Sequence, residues 1–194
     1  MTGIVLLAAG ESRRFGSAKQ MALIDDVPML RHAAATACAT GLQVLAVIGA
    51  RDSDMLPLLD GLPLDIVRHV HWRDGLGASI AFGSAELLRR YRHVDGVMIC
   101  LADQPRITTD DLLALQTRHR AHPAHIVTAH YAGARGAPCL FPRAEAGMLM
   151  GLSGDRGARA LLRTHPRVIE VAMPHAALDV DTPQDLPGQH RPTM

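Results

Sequence analysis

The 194-residue sequence is poor in aromatic residues, at 3% Phe, Trp and Tyr with a single Trp, and it holds only three cysteines. No apolar run approaches the roughly 20 residues needed to cross a bilayer, so no membrane role is expected. Neither sign of charge prevails. The 20 Lys and Arg against 19 Asp and Glu leave a formal charge of +1, which removes any global case for nucleic acid or an anionic membrane as partner, so an anion site must be local. Cys38, Cys100 and Cys139 are odd in number, widely separated and set among apolar residues, as expected of buried reduced thiols rather than a metal pattern. Long polar stretches, low-complexity segments and internal repeats are absent. With 48% hydrophobic and 20% charged residues, the composition is that of a folded chain. Met-Thr-Gly leads into a short apolar run without a basic leader or a cleavage signal, and a cytoplasmic location is the expectation.

What is present is an alternation of short apolar runs with helix-length segments. The length suits one well-buried domain, expected over 1–187, with a flexible tail over 188–194. Apolar runs at Ile4 to Ala8, Val44 to Ile48, Ile66 to Val70, Val97 to Leu101, Ile126 to Ala129 and Val168 to Val171 predict strands covered on both faces. Helices are predicted at Met29 to Thr40, at Ser79 to Tyr91 and from a cap at Thr108 or Thr109, where Asp110 and Asp111 favour the positive end of the dipole. Tyr131 to Arg143, rich in Gly, Pro and Arg, reads as a loop or hairpin. Strands alternating with helices imply βαβ units, hence a mostly parallel sheet in a three-layer, Rossmann-like α/β fold. Ligands in such folds bind beyond the carboxyl ends of the strands, which directs attention to the residues after Ala8, Ile48 and Leu101.

After Ala8 the chain reads Ala9-Gly10-Glu11-Ser12-Arg13-Arg14-Phe15-Gly16-Ser17-Ala18-Lys19. Small residues lead directly into cations, the combination a triphosphate needs: backbone N–H groups and close approach from the glycines, with charge-assisted contacts from Arg14 and Lys19. Arg clamps two oxygens, whereas Lys acts as a point charge. The loop matches neither the P-loop nor the dinucleotide-binding fingerprint, and a solvated basic turn is the plainer alternative.

Leu7-Ala8-Ala9-Gly10 with Ser12, Arg14, Phe15, Gly16 and Lys19 resembles the signature loop of the nucleotidyltransferases that activate sugars, alditols and molybdopterin. Four further stretches resemble one subgroup, the molybdenum cofactor cytidylyltransferases: Gly75-Leu76-Gly77-Ala78-Ser79; Leu101-Ala102-Asp103-Gln104-Pro105; Arg135 to Phe141 with Gly154 to Arg159; and Asp179-Val180-Asp181-Thr182-Pro183. The resemblance implies Arg14, Lys19 and Asp103 as catalytic residues. It assigns nucleotide binding to Leu7, Ala8, Ala9, Gly10, Ser12, Arg14, Lys19, Gly77, Ser79 and Asp103, and magnesium to Asp103 and Asp181, with Asp179 an alternative to Asp181. Magnesium takes few carboxylates alongside phosphate oxygens and water, so two aspartates suffice. For the acceptor it implies Gln104, Arg135, Asp155 and Arg159, although Arg135, Asp155 and Arg159 read equally as solvated charge. Ser79 reads equally as part of a helix cap.

The implied reaction is attack of the molybdopterin phosphate on the α-phosphorus of CTP with loss of pyrophosphate, the product passing to a molybdenum hydroxylase in a transient contact. Three rivals stand beside it: a cytidylyltransferase acting on methylerythritol phosphate, which shares Lys19-Gln20 but has a His-Asp-Ala-Ala-Arg element not seen here; an enzyme with a guanylyl or other nucleotide preference; and a non-catalytic cofactor carrier. The 11 histidines, including His69 with His71 and His119 with His122, lack the Cys or carboxylate partners of a zinc site. Nor does any spacing support a Ser-His-Asp triad.

Overall fold

The computed structural model describes residues 1–10, 15, 19–180 and 182–186. Ser12, Arg14, Gly16 and Asp181, together with the expected tail, lie outside them. The sheet is seven-stranded. Its strands are β1 (Thr2–Ala8), β4 (Gln43–Ile48), β5 (Asp65–Arg68), β6 (Gly96–Leu101), β7 (Ile126–Tyr131), β8 (Ala134–Pro142) and β9 (Val168–Ala172), in the order β5-β4-β1-β6-β8-β7-β9. A separate two-stranded ribbon pairs β2 (Leu23–Ile24) with β3 (Val27–Pro28). All pairs in the large sheet are parallel except those that β8 makes with β6 and β7.

The period of two in each strand divides the interior into two cores. Ile4, Leu6 and Ala8 of β1 face one side with Val44, Ala46 and Ile48 of β4, where Leu30 and Ala34 of α1 (Met29–Cys38), Met55 and Leu59 of α2 (Asp52–Leu59), and Leu112 and Leu115 of α4 (Thr109–Ala121) cover them. Val5 and Leu7 face the other side with Leu45 and Val47, under Ile80 and Leu87 of α3 (Leu76–Arg90), Leu149 of α5 (Ala146–Met150) and Leu162 of α6 (Arg159–Thr164). This is the three-layer fold that the strand–helix alternation implies. Among the described residues no helix is long and apolar enough to cross a membrane.

Several boundaries differ from expectation for identifiable reasons. The expected strand to Val70 stops at Arg68, where the chain turns outward and leaves Val70 exposed. The segment from Tyr131 onward is a hairpin whose second arm is the nine-residue β8, inserted between β6 and β7. Ala132 and Gly133 both take positive φ in its two-residue turn, the twist-matched geometry for adjacent antiparallel strands. Gly136 and Pro138 hide this strand from any pattern of β-formers. The α4 cap falls at Thr108, whose hydroxyl accepts from the Asp111 N–H while the Asp111 carboxylate accepts from the Thr108 N–H, a reciprocal capping box.

Candidate active site

β1 and β6 lie side by side at the middle of the sheet, in register from Thr2 with Gly96 to Leu7 with Leu101. Their carboxyl ends therefore open at the same level, and the Ala102 N–H donates to the Leu7 carbonyl to hold the two exits together. Over these ends lies a cleft of about 460 Å³ lined by Leu7, Ala8, Ala9, Gly10, Lys19, Ser79, Asp103 and Asp155, and also by Gln20, Trp72, Arg73 and Gly75.

Lys19 begins the 3-10 turn Lys19–Met21, which returns the chain to the cleft. Its ammonium donates to Asp103 Oδ2 at 2.6 Å and to the Val180 carbonyl at 3.1 Å. The Val180 N–H in turn donates to the Asp103 carbonyl at 2.9 Å. The start of the chain, the end of β6 and the segment that immediately precedes Asp181 in sequence are thereby tied together. The Lys19 and Asp103 side chains are 14% and 24% exposed, enough for a ligand to reach the pair and too little for bulk water to screen it fully. Asp103 Oδ1 is shielded from solvent and accepts no hydrogen bond from any described residue.

Gln20 is a residue that the pattern of charges does not single out. Its side chain is buried, and Nε2 donates to the Gly10 carbonyl at 2.9 Å and toward the Ala8 carbonyl at 3.5 Å. Those two contacts fix the direction in which the chain leaves β1. Burial of its amide is the signal that marks it, and burial is not visible in sequence.

The two glycine-rich stretches interlock. α3 begins at Leu76, earlier than the predicted Ser79, so the Gly75 to Ser79 segment forms its first turn rather than a loop before it. The Gly77 N–H donates to the Gly154 carbonyl at 2.7 Å, and the Ser79 N–H donates to the Gly75 carbonyl. These two N–H groups are therefore spent on protein. Gly75 sits at φ +99, and a Cβ on it would fall 2.4 Å from the Gly154 carbonyl carbon; a Cβ on Gly77 would fall 2.7 Å from the Arg156 carbonyl oxygen. Only glycine lets the two segments touch. The contact carries Asp155 into the cleft wall. Ser79 is 3% exposed, with Oγ 3.1 Å from His69 Nδ1 and donating to the Gly75 carbonyl at 3.3 Å. Burial, followed by the charge of His71, holds the His69 imidazole below its ordinary value, so it is neutral at pH 7.

The residues expected at the acceptor divide. Asp155 lines the cleft, but Gln104 is buried and its Nε2 bridges the carbonyls of Ala137 and Ala176, which ties the end of β6 to β8 and to the C-terminal segment. Arg135 donates to Glu170 Oε1 at 2.7 Å and to the Leu162 carbonyl at 2.8 Å. It lines a second cavity of about 570 Å³ with Arg159, Arg163 and His130 that shares no lining residue with the first. Arg159 lies over Tyr131, 5.9 Å from the ring centroid, and burial with the nearby negative charge of Asp179 raises the Tyr131 phenol above its usual range. Among the described residues no three His, Cys, Asp or Glu side chains gather at one point.

Residues 4–168 match the model of the MobA-like NTP transferase domain. The chain belongs to that family. As a MobA-like transferase it is 28% identical to nicotine blue oxidoreductase of Paenarthrobacter nicotinovorans over 180 residues, covering 86% of this chain and 84% of that one. It is 27% identical to the purine catabolism protein PucB of Bacillus subtilis, over 93% and 92% of the two chains. Among solved structures it is similar to Rv0371c of Mycobacterium tuberculosis, with a TM-score of 0.79 and 30% identity over 95% of this chain and 94% of that one. A structure of Rv0371c in complex with manganese superposes with a TM-score of 0.74 at 29% identity, over the same shares of the two chains.

Proposed function

We propose that the chain transfers CMP from CTP to the phosphate of molybdopterin and releases pyrophosphate. The observation that carries this reading is the meeting of Lys19 with Asp103 at the joint exit of β1 and β6, in a cleft walled by the Leu7 to Gly10 backbone. Transfer at phosphorus asks little covalent chemistry of a protein; positioning and neutralisation of charge do most of the work. Lys19 and Arg14 would hold the polyphosphate, and the Leu7 to Gly10 exit, braced by Gln20, would set its direction. Asp155, which lines the same cleft, would face the acceptor, and Arg135 and Arg159, in the separate cavity, would have at most an outlying part in holding it.

Asp103 fits a divalent cation. Its Oδ1 is an anionic acceptor without a donor among the described residues, and one or two carboxylates completed by phosphate oxygens and water are the set that magnesium prefers. Asp103 and Asp181 would hold the ion, which supplies charge neutralisation on the transferred group; Val180, hydrogen-bonded to Asp103, is the residue directly before Asp181. The manganese complex of Rv0371c supports a divalent cation in a similar protein. Lys19 would then shift from Asp103 to the phosphates, as a Lys with a flexible stem does readily.

The reading includes a cytoplasmic protein, one folded domain over 1–187 and hand-over of the product to a molybdenum hydroxylase. It is tested by incubating the purified protein with molybdopterin, magnesium and each of the four triphosphates in turn, and following pyrophosphate release and the dinucleotide product. CTP is expected to give the product at the highest rate. Preferred use of GTP would replace the cytidylyl assignment with a guanylyl one, and binding of the pterin without turnover of any triphosphate would favour the carrier.

A further inference from the structure

Trp72 is the one Trp in the sequence and the one aromatic side chain among the described residues that line the main cleft. It opens the 3-10 turn Trp72–Asp74 that follows β5. The turn is pinned at both ends: the Trp72 N–H donates to the His69 carbonyl, and the Gly75 N–H donates to the Trp72 carbonyl. Below, the side chain rests on the exit of β4, where a Cβ on Gly49 would lie 2.6 Å from Trp72 Cβ and 2.8 Å from Cγ. Above, Arg73 lies over the ring, with its guanidinium carbon 4.4 Å from the indole centroid. Among the described residues Arg73 makes no hydrogen bond or ion pair, so the stacking contact alone holds it.

A nucleoside triphosphate has one anionic end and one flat aromatic end. The cleft is built the same way: the Lys19–Asp103 pair stands at the β1–β6 exit and the indole stands against Gly49, past the exit of β4. β4 is the neighbour of β1, so strand spacing puts these exits roughly 5 to 10 Å apart, a span that a nucleotide covers between its phosphates and its base. We infer that the Trp72 indole is the platform on which the nucleobase stacks and that Arg73 is its cover, displaced when a nucleotide enters. This rests on the polyphosphate reading of the Lys19–Asp103 end. Stacking is tolerant of base identity because every base has a π-face, so the platform supplies affinity for CTP and GTP alike, and the choice between them falls to hydrogen bonds elsewhere in the cleft.

The single Trp is its own reporter. Saturating CTP with magnesium is expected to change the Trp72 emission, whereas inorganic tripolyphosphate, which lacks a base, binds by calorimetry with little change in emission. Trp72→Ala is expected to weaken CTP about tenfold and to leave tripolyphosphate affinity as it was. Trp72→Phe, which keeps a ring over Gly49, restores most of the CTP affinity, and Arg73→Ala binds CTP at least as tightly as the unchanged protein. A folded Trp72→Ala protein that binds both ligands normally overturns the platform and leaves the polyphosphate end standing. Unchanged emission of the native protein at saturating CTP overturns it equally, without need of a variant. Failure of the native protein to bind either ligand overturns both.

Discussion

Lys19 and Asp103, 84 residues apart in sequence, meet at 2.6 Å where β1 and β6 leave the sheet. Asp103 lies just past the end of β6, and the turn Lys19–Met21 brings the chain that left β1 at Ala8 back to that exit, beside the parallel neighbour β1. Replacing Asp103 by Ala removes the anionic partner of Lys19 and the acceptor proposed for the cation. Turnover is expected to fall at least about a hundredfold, with the circular dichroism spectrum unchanged because the carboxylate lies outside the two cores. Near-normal turnover in a folded Asp103→Ala protein would remove this site from the chemistry.

Gly75 and Gly10 separate two uses of glycine. A Cβ on Gly75 meets backbone of Gly154 at 2.4 Å and the residue sits at positive φ, whereas a Cβ on Gly10 meets nothing within 4 Å among the described residues. Gly75→Ala is expected to destabilise by roughly 1–3 kcal/mol, the usual cost of forced overpacking, and Gly10→Ala to stay within about 0.5 kcal/mol of the native protein. Urea titrations of the two variants decide the matter, and equal stabilities would mean that the interlock of the two glycine-rich segments is dispensable.

Gln20→Leu keeps the volume of a buried side chain but removes its donation to the Gly10 and Ala8 carbonyls. An unbraced exit from β1 is expected to raise the KM for the triphosphate severalfold, in line with a lost hydrogen bond, while thermal stability changes little. A KM equal to that of the native protein would make Gln20 a core residue without bearing on the site.

Stability at acid pH is expected to follow Asp111. Burial pushes its carboxyl up, but hydrogen bonds from the Thr108 hydroxyl and N–H, joined by His175, outweigh it and hold the group below its ordinary 3.8. A depressed folded value means that the stabilisation is present in full above the unfolded value and is lost as pH falls through the folded one. Asp111→Ala should therefore cost about 1 kcal/mol at pH 7, as loss of a cap does. The gap between variant and native protein should narrow below pH 3.8. A gap that is constant from pH 7 to pH 3 would show that the carboxylate charge plays no part.

The sheet was legible where burial on both faces forces continuous apolar strands: β1, β4 and β6 stand almost where the runs at Ile4, Val44 and Val97 put them. β8 was not, because a strand interrupted by Gly136 and Pro138 owes its place to neighbours rather than to its own residues. Lys19 and Asp103 could be matched by motif, but their contact depends on the turn Lys19–Met21, whose return to the β6 exit no local pattern announces. The start of α3 was misread because Gly75 and Gly77 look like a loop until Gly154 is known to lie against them. Gln20 and Trp72 carry no charge that marks them in the sequence, and only the closing of the cleft shows where their side chains stand.

The most direct test of the transfer follows the α-phosphate of labelled CTP in the presence of molybdopterin and magnesium. Label appearing in a pterin dinucleotide, matched mole for mole by pyrophosphate and abolished by Asp103→Ala, is the expected result. Label that stays in CTP in the native protein, with pterin and nucleotide both shown to be bound, would contradict the proposed function.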